Sequence, residues 1–152
     1  MTNKPSKPIN LFDCATSQKV IGQDKFLNAF EKILNHGAYC QGPETKELET
    51  KLAAFSNAKY CTSCASGTDA LILPLMAWDV KPGDAVFVSS FTFVASAEAP
   101  VLLGATPIFV DSDPDTYNMD PKDLQRAIDE VKKEGKLNLK AVIAVDIFGS
   151  PC

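Results

Sequence analysis

Apolar positions follow two rhythms along this chain. In DKFLNAFEKIL (24–34), Phe26, Leu27, Phe30, Ile33 and Leu34 recur at i, i+1, i+4, i+7 and i+8, the spacing of one helical face. Asn35 to Gly37 stops that helix. A second helix opens at Gly42-Pro43, because proline suits the first helical position, where its missing N–H costs nothing. Glu44 and Glu47 suit the positive end of its dipole. Leu48, Leu52 and Phe55 are expected to be its buried stripe.

From residue 59 the rhythm shortens. KYCTSC (59–64), AVFVSS (85–90), TPIFVD (106–111) and LKAVIAVDIF (139–148) are short, nearly continuous apolar runs. Amphipathic or apolar stretches separate them: one from ASGTDA through Met76 and Trp78, one from Thr92 to Leu103, and one that Asp120 can cap and Pro121 can start. The last places Leu124, Ala127, Ile128 and Val131 on one face. Apolar strands alternating with helices predict an α/β fold, a parallel sheet with helices on both faces. Four parallel strands are expected, near 59–64, 85–90, 106–111 and 140–147. Pro74 and Pro100 stand inside helical stretches and are expected to kink or delay them. Residues 1–22 are read as an N-terminal arm, and 23–152 as the folded region.

At 152 residues, 45% apolar and 22% charged, the chain matches one ordinary globular domain and not a disordered or collagen-like one. No apolar run approaches the ~18 residues of a membrane span, and the first residues lack a signal peptide's apolar core. The net charge of −4, without a basic block, disfavours a nucleic-acid partner. Five cysteines, an odd number without framework spacing, fit reduced thiols and a cytoplasmic location. The chain stops straight after an apolar strand, at AVIAVDIFGSPC. That is the expectation for a piece of a longer protein.

Ligands of open α/β sheets bind at the carboxyl ends of the strands. The first such end, Cys64-Ala65-Ser66-Gly67-Thr68-Asp69, joins small residues and a glycine to a helix start. Backbone N–H groups there can face an anion. The same residues also read as a plain turn and N-cap. At the second end, SSFTFVAS, an aromatic can stack on a planar ring or pack in the core. Asp111, Asp113 and Asp115 begin like a calcium loop. The pattern then fails, with Thr116 where glycine is needed and Lys122 where glutamate is needed. A solvated turn is expected instead. Cys61 and Cys64 form a lone CxxC without two further zinc ligands and are read as buried thiols. His36, the one histidine, is read as a helix C-terminal residue.

Taken together, GAYCQGPETKELETKLAAF, SGTDAL, KPGDAVFVSSFTFVASAEA, LLGATPIFVDSDPDTYNMDP and AVIAVDIFG resemble, in order and spacing, the N-terminal part of the DegT/DnrJ/EryC1/StrS family. These are sugar aminotransferases dependent on pyridoxal 5'-phosphate (PLP). Among them the chain most resembles enzymes that aminate the 3-keto position of UDP-linked acetamido-uronic sugars. The resemblance implies the N-terminal part of the large domain of aminotransferase fold type I, a homodimer, a nucleotide-sugar substrate and an amino donor such as glutamate. It implies that Ser66, Gly67, Thr68 and Asp69 hold the cofactor phosphate and that Phe93 stacks on its ring. The Schiff-base lysine, the acidic partner of the pyridinium nitrogen and the small domain would all lie beyond residue 152. No catalytic residue is therefore assigned, and the isolated chain is expected to be inactive. Asp146 stands where many members carry histidine. Two other readings remain: part of a sugar dehydratase dependent on pyridoxamine phosphate, and a non-catalytic truncated protein.

Overall fold

The structure, a computed structural model, describes residues 11–152. The expected arm at residues 1–10 lies outside the described residues. The chain divides into two compact units that meet between Ser63 and Cys64.

The first unit is helical: α1 (Cys14–Ile21), α2 (Gln23–His36) and α3 (Pro43–Phe55). Helix α1 falls inside the segment expected to be an arm. Asp13 starts it, accepting a 3.0 Å hydrogen bond from the Thr16 N–H. Helix α2 ends where expected, on Gly37 in the left-handed region (φ 64°). Gly42 precedes α3 because its backbone passes the Ala38 carbonyl too closely for any Cβ. The expected stripe of α3 is not buried: Leu48, Leu52 and Phe55 are exposed, as are Phe26, Leu27, Phe30 and Leu34 of α2. Periodicity sets which residues share a face, but burial needs a partner element. Among the described residues of this unit, none packs over those faces.

The second unit carries the sheet. Its elements are α4 (Gly67–Ala77), β1 (Asp84–Ser89), α5 (Ala95–Leu102), β2 (Thr106–Val110), α6 (Pro121–Glu134) and β3 (Asn138–Ile143). The strand order is β2-β1-β3. Both pairings are parallel, with Ala85 opposite Thr106 and Val86 opposite Ala141. All six residues of β1 are buried, and alternate side chains enter opposite layers. Val86 and Val88 pack with Leu75, Val80, Ala99 and Ala105 beneath α4 and α5. Ala85 and Phe87 pack with Val110, Met119, Ala127 and Val131 beneath α6. Helices on both faces of a parallel sheet are the architecture read from the sequence.

One expectation fails. Residues 59–64 form no strand, so the sheet has three strands and not four. In place of a ladder, the Ser63 N–H and hydroxyl both bond Glu49 Oε1 at 2.8 Å, tying this segment to α3. The prolines stand inside helices as read, Pro74 in α4 and Pro100 in α5. Pro100 is fully buried. Packing of that kind offsets the ~3 kcal/mol cost of an interior proline. Helix α5 nevertheless begins at Ala95, later than the Thr92 expected.

Candidate functional site

Helix α4 is joined to β1 by residues 78–83, and its Leu75 packs with Val86 and Val88 of that strand. Its start therefore faces the opposite, carboxyl end of the strand along which it packs. Ser66, in extended backbone (φ −155°, ψ 168°), is the N-cap. Its Oγ accepts the Asp69 N–H at 3.1 Å and donates to Asp69 Oδ2, also at 3.1 Å. The Ser66 carbonyl accepts the Ala70 N–H at 3.0 Å and the Cys64 thiol at 3.3 Å. A small, internally bonded turn results.

The consequence for an anion is specific. The Asp69 N–H is used by the cap. The Asp69 carboxylate is held toward Ser66. Among the described residues the N–H groups of Gly67 and Thr68 meet no protein acceptor. They belong to the unsatisfied first turn of a helix, where the dipole carries about half a positive charge. A Cβ built at Gly67 would meet no atom within 4 Å. The glycine thus borders open space that a ligand atom can enter. Ser66 caps the helix, Gly67 and Thr68 keep unused N–H groups, and the Asp69 carboxylate is bonded to Ser66.

Phe93 follows β1 and is 73% exposed. It sits on a turn anchored on both sides. The Ser90 N–H bonds the Val110 carbonyl at 2.8 Å. The Phe93 carbonyl accepts the Ser96 N–H at 3.1 Å, and the Thr92 and Ser96 hydroxyls lie 3.2 Å apart. Among the described residues Phe93 does not pack in the core. An exposed ring on a fixed turn suits stacking.

Three further aromatics meet at this edge. Phe91, Tyr117 and Phe148 have ring centroids 5.5 to 6.2 Å apart, and the Tyr117–Phe148 pair is edge-to-face. Sequence reading missed this cluster. The available signal was positional, since each aromatic falls in a loop after a strand. Tyr117 has φ 62°, uncommon for a bulky residue. The turn before it explains how that is held. Asp113 Oδ1 accepts the Asp115 and Thr116 N–H groups and the Thr116 hydroxyl, at 2.8 to 3.0 Å. The aspartate run is thus a hydrogen-bonded turn, as expected.

Asp146 Oδ1 accepts the Cys152 N–H at 2.9 Å. The Asp146 carboxylate, acting on the thiol itself, also pushes Cys152 above the usual thiol range. His36 closes α2: its Nδ1 accepts the Ala38 N–H at 3.0 Å and its Nε2 lies 3.1 Å from Glu44. Cys64 is exposed and Cys61 half-buried, which corrects the reading of both as buried thiols. Without a strand at 59–64 there is no ladder to enclose them. Among the described residues no three His, Cys, Asp or Glu side chains gather as metal ligands, and no helix is long and apolar enough to cross a membrane.

A parallel sheet covered on both faces, with unused N–H groups at a helix start, defines an α/β protein suited to a phosphorylated ligand. Comparison with known proteins narrows the class. Residues 20–152 match the DegT/DnrJ/EryC1/StrS aminotransferase family, and the chain belongs to it. It is 47% identical over 141 residues to the UDP-2-acetamido-2-deoxy-3-oxo-D-glucuronate aminotransferase of Pseudomonas aeruginosa, covering 93% of this chain and 37% of that protein. A DegT DnrJ EryC1 StrS aminotransferase from Brucella abortus superposes with a TM-score of 0.91 at 43% identity, over 95% of this chain and 39% of that one. A Streptococcus pneumoniae protein described as a sugar aminotransferase, solved in its PLP form, superposes with a TM-score of 0.65 at 38% identity, over 73% of this chain and 26% of that one. The chain thus spans less than two fifths of the length of these relatives.

Proposed function

We propose that this chain supplies the phosphate cradle and ring-stacking face of the cofactor site in a PLP-dependent aminotransferase of nucleotide-linked keto-sugars. The observation that carries the proposal is the start of α4. There two unused N–H groups and an open glycine stand on a chain whose residues 20–152 match an aminotransferase family.

In this reading Gly67 and Thr68 donate their N–H groups to the cofactor phosphate, and the Thr68 hydroxyl adds a third donor. Ser66 holds the turn rather than the ligand. Asp69, with its carboxylate drawn to Ser66, keeps negative charge off the cradle. Phe93 covers one face of the cofactor ring and excludes water from it. When bound, the cofactor supplies the electron-withdrawing ring that amino transfer requires. The Pseudomonas relative's name supports a UDP-linked acetamido 3-keto uronic sugar as substrate, in amino-sugar or polysaccharide biosynthesis. Glutamate as donor, a homodimer and a cytoplasmic location complete the proposal. The last agrees with five free thiols.

Gly67→Val tests it directly. The new side chain meets no atom of this chain within 4 Å of its Cβ, so folding is expected to be unaffected while the cradle fills. Binding of pyridoxamine 5'-phosphate, followed by calorimetry, is expected to weaken by about tenfold or more, with the melting temperature unmoved. Unchanged affinity would refute the phosphate assignment.

A further inference from the structure

Phe93 can stack on a ring only if its turn is held in one place, and the turn's own hydrogen bonds fix only its ends. We infer that the Phe91–Tyr117–Phe148 cluster is a positioning device that holds the 90–93 turn so that Phe93 faces the cofactor ring. This rests on the cofactor reading above.

Three loops converge to build the cluster. Phe91 comes from the loop after β1, Tyr117 from the loop between β2 and α6, and Phe148 from the segment after β3. The rings lie at 5.8, 6.2 and 5.5 Å, the first two pairs tilted and the Tyr117–Phe148 pair edge-to-face, within the separations at which aromatic pairs attract. Phe91 is two residues from Phe93. Anchoring its ring fixes the amino side of the turn, while the Ser96 bond to the Phe93 carbonyl fixes the other.

The other two loops are built to bring their rings in. Asp113 binds residues 115 and 116, its carbonyl accepts the Tyr117 N–H at 2.8 Å, and its own N–H bonds the Asn118 carbonyl at 2.9 Å. That closed loop holds Tyr117 at positive φ, a conformation persisting only where the surroundings determine it. Asn118 then reaches the third loop, since its Nδ2 donates to the Ser150 and Pro151 carbonyls, both at 3.1 Å. The aspartate-rich turn thus has a use that metal binding did not supply. Tyr117 and Phe148 are positioning residues, acting through Phe91.

The test places 4-fluorophenylalanine at position 93 of this chain and follows its fluorine resonance while adding pyridoxamine 5'-phosphate. The unmutated chain is expected to give one narrow resonance that moves on titration. Tyr117→Ala and Phe148→Ala should broaden it and weaken binding by about tenfold, the scale of a small misplacement. Tyr117→Phe should restore both, because it keeps the ring. Should Tyr117→Ala fail to fold, Phe148→Leu keeps an apolar side chain and removes only the ring. Parent-like line width and affinity in the ring-deletion variants would overturn the inference and leave the cofactor reading standing. A resonance that ignores pyridoxamine 5'-phosphate would sink the cofactor reading, and the line widths alone would then judge the positioning.

Discussion

The two units differ in what their apolar residues do. In the sheet unit, every residue of β1 is buried, and its neighbours in sequence supply both covering layers. In the helical unit, α2 and α3 carry equally clear apolar stripes, yet Phe30 remains 61% and Phe55 90% exposed. The helices form in both cases, because helical hydrogen bonds and caps are local. Cover is not local. A βαβ arrangement folds its own cover back on the strand, whereas a helix pair can leave a stripe open.

The largest expected effect sharpens that contrast. Phe87→Ala should destabilise the sheet unit by about 3–5 kcal/mol, because a fully buried ring leaves a cavity. Phe30→Ala on α2 should change stability by less than about 0.5 kcal/mol. Denaturant melts of the two variants check this. Equal losses would show that the α2 stripe is buried in solution.

Capping gives a smaller effect. Asp120 caps α6 by accepting the Lys122 N–H at 2.8 Å. Asp120→Ala should cost about 1 kcal/mol in the same melts. The start of α3 has no side-chain cap, only Gly42 before Pro43, so no substitution there removes an equivalent bond.

Acid should have the smallest effect, and it touches both units. The Thr116 N–H, then its hydroxyl and the Asp115 N–H, hold the Asp113 carboxyl below the usual carboxylate range. The Ser63 N–H and hydroxyl do the same for Glu49. Unperturbed carboxyls titrate near about 3.9 for Asp and 4.3 for Glu. A depressed folded-state pKa contributes stability that is present above those values and is lost as pH falls through the folded-state value. Protection of the Ser63 and Thr116 amides, measured against the intrinsic exchange rate at each pH, should therefore be constant around neutral pH and fall only below about pH 4. A fall in protection already near pH 6 at either site would contradict the assigned bonds.

Much of this was legible in the residues. The alternation of short apolar runs with helical stretches disclosed a parallel, doubly covered sheet. Asp120-Pro121 marked the start of α6, and Asn35 to Gly37 the end of α2. Residues 59–64 misled because Tyr60, Cys61 and Thr62 have strand-like character, while a strand also needs a neighbour. Glu49, fourteen residues away from Ser63, took that segment's donors instead. At the candidate site, the residues read both as an anion-facing turn and as a plain turn and N-cap, and the Ser66 cap is present, but which N–H groups it leaves unused was not legible. That Ser66 would claim the Asp69 N–H is a matter of side-chain rotamer. The aromatic cluster was invisible for a different reason. Its members are separated by 26 and 31 positions, and only the sheet brings their loops together.

The central claim is that two backbone donors at the start of α4 hold a phosphate. Amide nitrogen–proton NMR of this chain during titration with pyridoxamine 5'-phosphate tests it most directly. The account predicts saturable shifts concentrated at Gly67 and Thr68, with a smaller change at Asp69, whose N–H already bonds Ser66, and loss of all three in Gly67→Val. Shifts centred elsewhere, or none at Gly67 and Thr68 at saturating ligand, would contradict it.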